Sequence, residues 1–193
     1  MPDDTFARLV SLACHDLRTP LATVYGFART LTKGEGLDEP EAGYAKMIEA
    51  ASSQIRELLD ELGLAARIEA GRYQPRLAET DTAALARAAA ERLGSERVAV
   101  SGPGGTVRVD VEATERAVSA LVQSALRHGG LDDVSVVADG PALRISPVTA
   151  ASGPVVLGEE LRDLGAAVAA KLVETLGGSL ELEDETLTIR LPA

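Results

Sequence analysis

The chain is poor in the residues that build disulfides and metal sites, with one cysteine and two histidines among 193 residues. A single cysteine cannot form an internal disulfide, which is typical of proteins kept in a reducing cytoplasm. No segment approaches the roughly 18 consecutive apolar residues that a membrane-spanning helix needs. The first residues, with Asp3 and Asp4, lack the basic start and apolar stretch of a secretory signal. These absences predict a cytoplasmic protein without a membrane partner or a metal site.

The charge balance is acidic. The sequence has 30 Asp and Glu against 19 Lys and Arg, a formal net charge of −11. This excess argues against nucleic acid and against an anionic membrane surface as partners. The apolar share of 46% is large enough for folded cores. The length and a change of pattern near residue 70 predict two domains, residues 1–70 and residues 71–193.

Two segments of the first domain repeat apolar residues in alternating steps of four and three, the pattern of a helical bundle. They predict a helix over about residues 5–31 and a second helix that opens at Asp38, with a short loop containing Gly34 and Gly36 between them. The seam positions are Phe6, Val10, Ala13, Leu17, Pro20, Val24, Phe27 and Leu31 in the first segment and Tyr44, Ile48, Ala51, Ile55, Leu58, Leu62 and Ala65 in the second. One hairpin covers only one face of each helix, so the pattern predicts a homodimeric four-helix bundle. The alternative is that the hairpin packs on the C-terminal half of its own chain.

His15 falls outside this seam. It is two residues from both Ala13 and Leu17, which turns its side chain about 200° away from the seam on an α-helix. Pro20 has no backbone N–H and its ring crowds the carbonyl of Asp16, which predicts a kinked or loosened turn beyond the histidine. An exposed imidazole beside an acid on a weakened helix indicates a reaction site. Its neighbour in sequence, Cys14, is interpreted as a small packing residue.

The segment 15–21, His-Asp-Leu-Arg-Thr-Pro-Leu, resembles the H-box of bacterial sensor histidine kinases. The resemblance implies that His15 accepts a phosphoryl group and that one such histidine is exposed on each chain of a dimeric bundle. Asp16 would then hold the imidazole tautomer or accept its proton, and Arg18 would meet phosphate or an acidic patch of a partner; both could instead be solvated surface residues. Thr19 lies one turn after His15 and corresponds to the residue that orients water for dephosphorylating the partner.

The second domain alternates helical and strand-like segments, which predicts an α/β sandwich with helices on one face of a mixed sheet. The expected helices cover residues 82–93, 112–128 and 161–176, and the expected strands cover residues 98–100, 134–137, 143–145, 180–182 and 187–191. This half resembles the GHKL-type ATP-binding domain of histidine kinases. The whole chain is therefore predicted to be an α+β protein, a helical hairpin followed by this sandwich.

The sequence departs from that family at the positions that the resemblance assigns to nucleotide binding. Ala120 and Ser124 stand where two asparagines hold magnesium and the triphosphate. Thr149 matches the aspartate that reads adenine. The glycine-rich stretch that cradles phosphates keeps Gly165 but places Asp163 where a phosphate would lie, and that acid would repel it.

The loop that closes over ATP in the family is also too short here, because eleven residues separate Gly153 from Gly165. Together with the lost ligands, this predicts that the protein binds neither ATP nor magnesium. His128 falls on a position that is often basic in the family, and it is interpreted as structural.

The pattern as a whole resembles the histidine phosphotransferases that arose from kinase cores. It predicts a phosphorelay phosphotransferase that moves phosphate between response-regulator aspartates through His15, without autokinase activity. The expected partners are a second copy of the chain and receiver domains, with an upstream histidine kinase as a further candidate. Two alternatives stay open: a sensor kinase core whose divergent site still binds ATP, and a non-catalytic dimeric adaptor for a response regulator.

Overall fold

The second helix of the hairpin starts at a reciprocal cap. The backbone N–H of Glu41 donates to Oδ1 of Asp38 at 2.9 Å, and the Glu41 carboxylate accepts from the Asp38 N–H at 3.3 Å. Such a capping box satisfies two of the N–H groups that a helix start leaves unpaired. The computed structural model describes residues 4–33 and 38–193. The predicted loop glycines, Gly34 and Gly36, and the side chain of Phe6 lie outside the described residues.

The chain divides into two units, Met1–Tyr73 and Gln74–Ala193. The first unit is the predicted helical hairpin, in which α1 (Asp4–Lys33) packs against α2 (Glu39–Glu69). The helix α1 continues through Pro20. No helix within the described ranges is both long enough and apolar enough to cross a membrane.

The hairpin buries a different stripe from the apolar seam that the sequence predicts. The buried residues of α1 and α2 are mostly small: Cys14, Ala28, Ala45, Ser52, Leu59, Gly63, Leu64 and Ala66. The large seam residues stay exposed: Leu17, Val24, Phe27, Leu31, Tyr44, Ile48, Ile55, Leu58 and Leu62. Each helix thus has a small-residue stripe that lets the two helices approach and a bulky stripe that one hairpin leaves uncovered. Cys14, at 2% exposure, is the packing residue that the sequence predicts.

The second unit is the predicted α/β sandwich. Its strands are β1 (Leu77–Asp81), β2 (Val98–Gly104), β3 (Thr106–Asp110), β4 (Val134–Asp139), β5 (Ala142–Ser146), β6 (Ser179–Glu183) and β7 (Thr186–Arg190). Its helices are α3 (Thr82–Leu93), α4 (Val111–Gly129), α5 (Gly153–Val156) and α6 (Leu164–Thr175). Five strands form a mixed sheet in the order β2-β4-β5-β7-β6, with only the β2–β4 pair parallel.

The core lies between this sheet and its helices. Inward-facing strand residues such as Leu143, Ile145 and Ile189 are fully buried, as are Leu85 of α3 and Leu121 of α4. Alternate strand residues face the two sides of a sheet, so burying every second residue against helices follows from the strand geometry.

This unit differs from the prediction in several features, among them the short helix α5, which was not predicted. The last helix begins at Leu164 instead of residue 161, because Asp163 caps it and fixes its start. A separate two-stranded sheet, β1 with β3, was not predicted. β1 is exposed along most of its length, so its sequence lacks the alternating apolar pattern on which strand prediction depends.

Candidate functional site

His15 lies on the exposed surface of α1, where its heptad position places it. Its neighbour Cys14 is buried, so the side chains before and at position 15 face opposite environments. Within the part of the chain that the structure describes, the His15 ring takes part in no hydrogen bond or ion pair. The ring is therefore accessible from solvent.

The residues around His15 leave one side of the helix open. Asp16 and Thr19 are exposed, and Thr19 lies on the same face as His15, one turn on. The Thr23 hydroxyl donates to the Thr19 carbonyl at 3.3 Å, while Pro20 offers no N–H to the carbonyl of Asp16. The carbonyl of Asp16, next to His15, therefore lacks the usual helical hydrogen bond from the residue four positions later.

The Arg18 side chain, which the sequence assigns to a phosphate or a partner, forms an ion pair within the hairpin. Its Nη2 lies 2.7 Å from Oδ1 of Asp60 on α2, and both side chains are about two-fifths exposed. The guanidinium passes over Gly63, where an added Cβ would lie 3.6 Å from Nη2. A Cβ at this distance would be in ordinary van der Waals contact with the guanidinium, so Arg18 crosses from α1 to α2 closely over the surface of α2.

The Arg18–Asp60 pair borders a cavity of about 300 Å³ in the groove between α1 and α2. The guanidinium of Arg56 lies 5.0 Å from the centre of the Tyr25 ring and donates to Ser53 at 3.0 Å. The cavity is lined by Arg18, Leu21, Ala22, Tyr25, Ser52, Arg56 and Asp60.

Sequence reasoning missed Asp60, Arg56 and Tyr25. Asp60 lies two residues from both Leu58 and Leu62, so the predicted seam turns it away from the neighbouring helix. No local pattern therefore links it to Arg18 on the other helix.

The positions that match a nucleotide site lie in the second unit. Ala120 and Ser124 are on α4; Ser124 is fully buried, and its hydroxyl has no hydrogen-bond partner among the described residues. Thr149 lies in the turn after β5, where its side chain is 3.3 Å from the Ser152 hydroxyl and accepts from the Ser152 N–H at 3.4 Å. Thr149 therefore closes a local turn.

Asp163 is held by both α6 and α4. One carboxylate oxygen accepts from the Ala166 N–H at 3.2 Å, which caps α6. The other lies 3.3 Å from Nε2 of His128 and 3.7 Å from a guanidinium nitrogen of Arg127, at the C-terminal end of α4. The Asp163 and His128 side chains are 11% and 20% exposed, so their contact is largely shielded from water, whereas the Arg127 side chain is 58% exposed. Gly165 is the second residue of α6.

A short helix fills the space beside this cluster. In α5, Val155 and Val156 are buried, and α5 packs against both α4 and α6. The chain then turns back through hydrogen bonds from the N–H groups of Glu159 and Glu160 to the Pro154 carbonyl. Across the described ranges, no group of three or more His, Cys, Asp and Glu side chains is placed to hold a metal ion.

Comparison with known proteins gives a family match in the first unit and relatives that span most of the chain. Residues 7–71 match the His Kinase A (phospho-acceptor) domain family. The sensor protein DivL of Caulobacter vibrioides is 27% identical over 92% of this chain, and the chain spans 27% of the length of DivL.

Two solved structures share the fold. Full-length ShkA, solved in complex with AMPPNP, superposes with a TM-score of 0.69 at 19% identity, over 96% of this chain and 46% of that one. The Acinetobacter baumannii histidine kinase AdeS gives a TM-score of 0.57 at 18% identity, over 92% of this chain and 97% of that one.

Proposed function

We propose that this chain is a histidine kinase core of the two-component type and that it works as a histidine phosphotransferase without autokinase activity. In this proposal His15 carries a phosphoryl group between the aspartates of response-regulator receiver domains. The observation that carries the proposal is the contrast between the two units. The H-box histidine is exposed, while the matching nucleotide positions hold no suitable ligands.

The exposed His15 supports the carrier role. A neutral imidazole nitrogen attacks the phosphorus of an aspartyl phosphate; an N–P bond forms, the P–O bond breaks, and the aspartate leaves as a carboxylate. The other ring nitrogen keeps its proton, and the reverse step passes the group to a second receiver. Phosphoryl transfer depends mainly on positioning and charge stabilisation, so a receiver that brings its own divalent metal supplies what this chain lacks.

The residues beside His15 support roles in the same step. The exposed Asp16 carboxylate would hold the imidazole tautomer, and the Thr19 hydroxyl would orient a water molecule when a receiver is dephosphorylated. Arg18 would meet the phosphoryl group or an acidic partner patch once it leaves Asp60.

Loss of ATP binding is supported by the second unit. Ala120 has no ligand atom, and Ser124 offers a single buried hydroxyl. The carboxylate of Asp163 occupies the N-terminus of α6, where a phosphate would need the backbone N–H groups and would meet a negative charge. A triphosphate with magnesium does not fit this set of residues.

The exposed seam of the hairpin supports a homodimer. Leu58 and Leu62 are 44% and 38% exposed, and the same stripe continues through Leu17, Val24 and Phe27. Covering such a stripe with a second copy would remove a large apolar area from water at roughly 25 cal/mol per Å². A four-helix bundle is the arrangement that buries both seams.

A second candidate is a sensor kinase core with a divergent ATP site, which the similarity to a protein named as a sensor favours. Two incubations separate the candidates. A phosphotransferase gains label from a phosphorylated receiver domain and none from radiolabelled ATP, whereas a kinase gains label from ATP. Label from ATP would overturn the proposal.

A further inference from the structure

The Arg18–Asp60 pair lies one turn from the proposed phosphoryl carrier. His15 and Arg18 are three residues apart on α1, so their Cβ atoms are about 5–6 Å apart on neighbouring positions of the helix surface. In the described state the guanidinium is turned across the groove to Asp60, at 2.7 Å. The Arg18 guanidinium thus has one carboxylate partner, Asp60 on α2. In the phosphorylated protein, the phosphoryl group on His15 would be a second anionic partner, on α1.

The cavity offers Asp60 a replacement partner. Arg56 lies one turn before Asp60 on α2 and lines the same cavity, where it is now held by the Tyr25 ring and Ser53. If Arg18 turns toward His15, Asp60 can pair with Arg56 at i, i+4 spacing. Neither carboxylate nor guanidinium is left buried without a partner in either arrangement, so the two arrangements differ little in desolvation.

We propose that Asp60 is a positioning residue for phosphoryl transfer: it holds the Arg18 guanidinium in the α1–α2 groove and gives it up to the phosphoryl group when His15 is phosphorylated. Arginine binds phosphate oxygens through two parallel hydrogen bonds, and a phosphoryl group carries nearly two negative charges. The phosphoryl group therefore competes successfully with the half-exposed Asp60 carboxylate for the Arg18 guanidinium. The inference rests on the proposed role of His15.

The consequence is a groove whose surface depends on phosphorylation. With Arg18 on Asp60, the guanidinium closes one side of the cavity; with Arg18 on the phosphoryl group, that side opens and Arg56 moves toward Asp60. The charges in the groove between Tyr25 and Asp60 would then differ between the two states. A receiver would meet one set of charges on the unphosphorylated protein and another on the phosphorylated protein.

The test uses the whole chain and phosphoramidate, which phosphorylates an imidazole nitrogen and releases ammonia without any protein partner. The second ionisation of the phosphoryl group on His15 is followed by ³¹P NMR, because a nearby guanidinium favours the dianion. Asp60→Asn should release Arg18 and raise the ionisation constant about two- to fivefold, the range expected for an exposed ion pair. Arg18→Gln should lower it below that of the unmodified protein.

The controls separate positioning from charge and from folding. In the Arg18→Gln background, Asp60→Asn should have no further effect. In the protein that keeps Arg18, Asp60→Glu should leave the ionisation constant at the unmodified value, because a carboxylate is still present. Glu49→Gln removes the same charge from the same face of α2, about three turns away, and should leave the ionisation unchanged. Circular dichroism confirms that each variant keeps the helical hairpin.

The outcomes are distinguishable. An unchanged ionisation constant in Asp60→Asn, or an effect that persists without Arg18, would overturn the inference while leaving the carrier role of His15 intact. If phosphoramidate leaves His15 unmodified in the folded protein, the proposed function and the inference are both wrong.

Discussion

The carboxylate of Asp163 caps α6 and lies 3.3 Å from Nε2 of His128 at the end of α4. The N-terminus of a helix attracts anions because its first N–H groups are unpaired and the helix dipole is positive there. In this chain the anion is part of the protein. The contact therefore links the N-terminus of α6 to the C-terminal end of α4.

This relationship predicts a loss of stability when the carboxylate is removed. Asp163→Ala should lower the free energy of unfolding of the second unit by about 1–2 kcal/mol, because a helix loses its N-cap and His128 loses a partner. Ser124→Ala is a suitable control, since its buried hydroxyl has no partner among the described residues, and its removal should cost little or stabilise. Urea denaturation of both variants would measure the difference; equal stabilities would contradict the structural role of Asp163.

The nucleotide prediction follows from the same region. We expect no saturable binding of ATP with magnesium at millimolar concentrations, measured by calorimetry and by thermal shift. Asp163→Asn removes the repelling charge but leaves Ala120 and the buried α5 valines in place, so it should also fail to bind. Binding by the unmodified protein would revive the kinase candidate. Binding only by the variant would mean that charge repulsion alone closes the site.

Local signals in the sequence predicted much of the fold. The cap at Asp38 and the helix over residues 82–93 were read correctly, because capping residues and periodicity are properties of neighbouring positions. The contact surface inside the hairpin was predicted incorrectly. Periodicity selects the bulkiest apolar stripe, and small residues such as Cys14 and Ala28 add little to that signal. The Asp163–His128 contact joins residues far apart in the chain, and no local pattern indicates such a pair.

The exposed seam leads to a prediction about assembly. Leu58→Glu combined with Leu62→Glu should convert a dimer into a monomer, because two charges would then be buried in an apolar interface. Leu161→Glu is the control: this leucine is 80% exposed and belongs to the second unit, and its replacement should leave the dimer intact. Light scattering measures the masses. A monomeric unmodified protein, or a double variant that stays dimeric, would contradict the four-helix bundle.

The carrier role of His15 can be tested against the other histidine of the chain. His15→Gln should abolish acid-labile phosphate after incubation with a phosphorylated receiver domain, because glutamine keeps the size and polarity of the side chain but offers no nucleophilic nitrogen. Dimerisation and receiver binding should persist, since the exposed ring contributes no described contact to the hairpin. His128→Gln changes a residue that contacts Asp163 in the second unit, and this variant should still accept phosphate. Phosphate on the His15→Gln protein, or its loss from the His128→Gln protein alone, would show that the phosphoryl group is carried elsewhere.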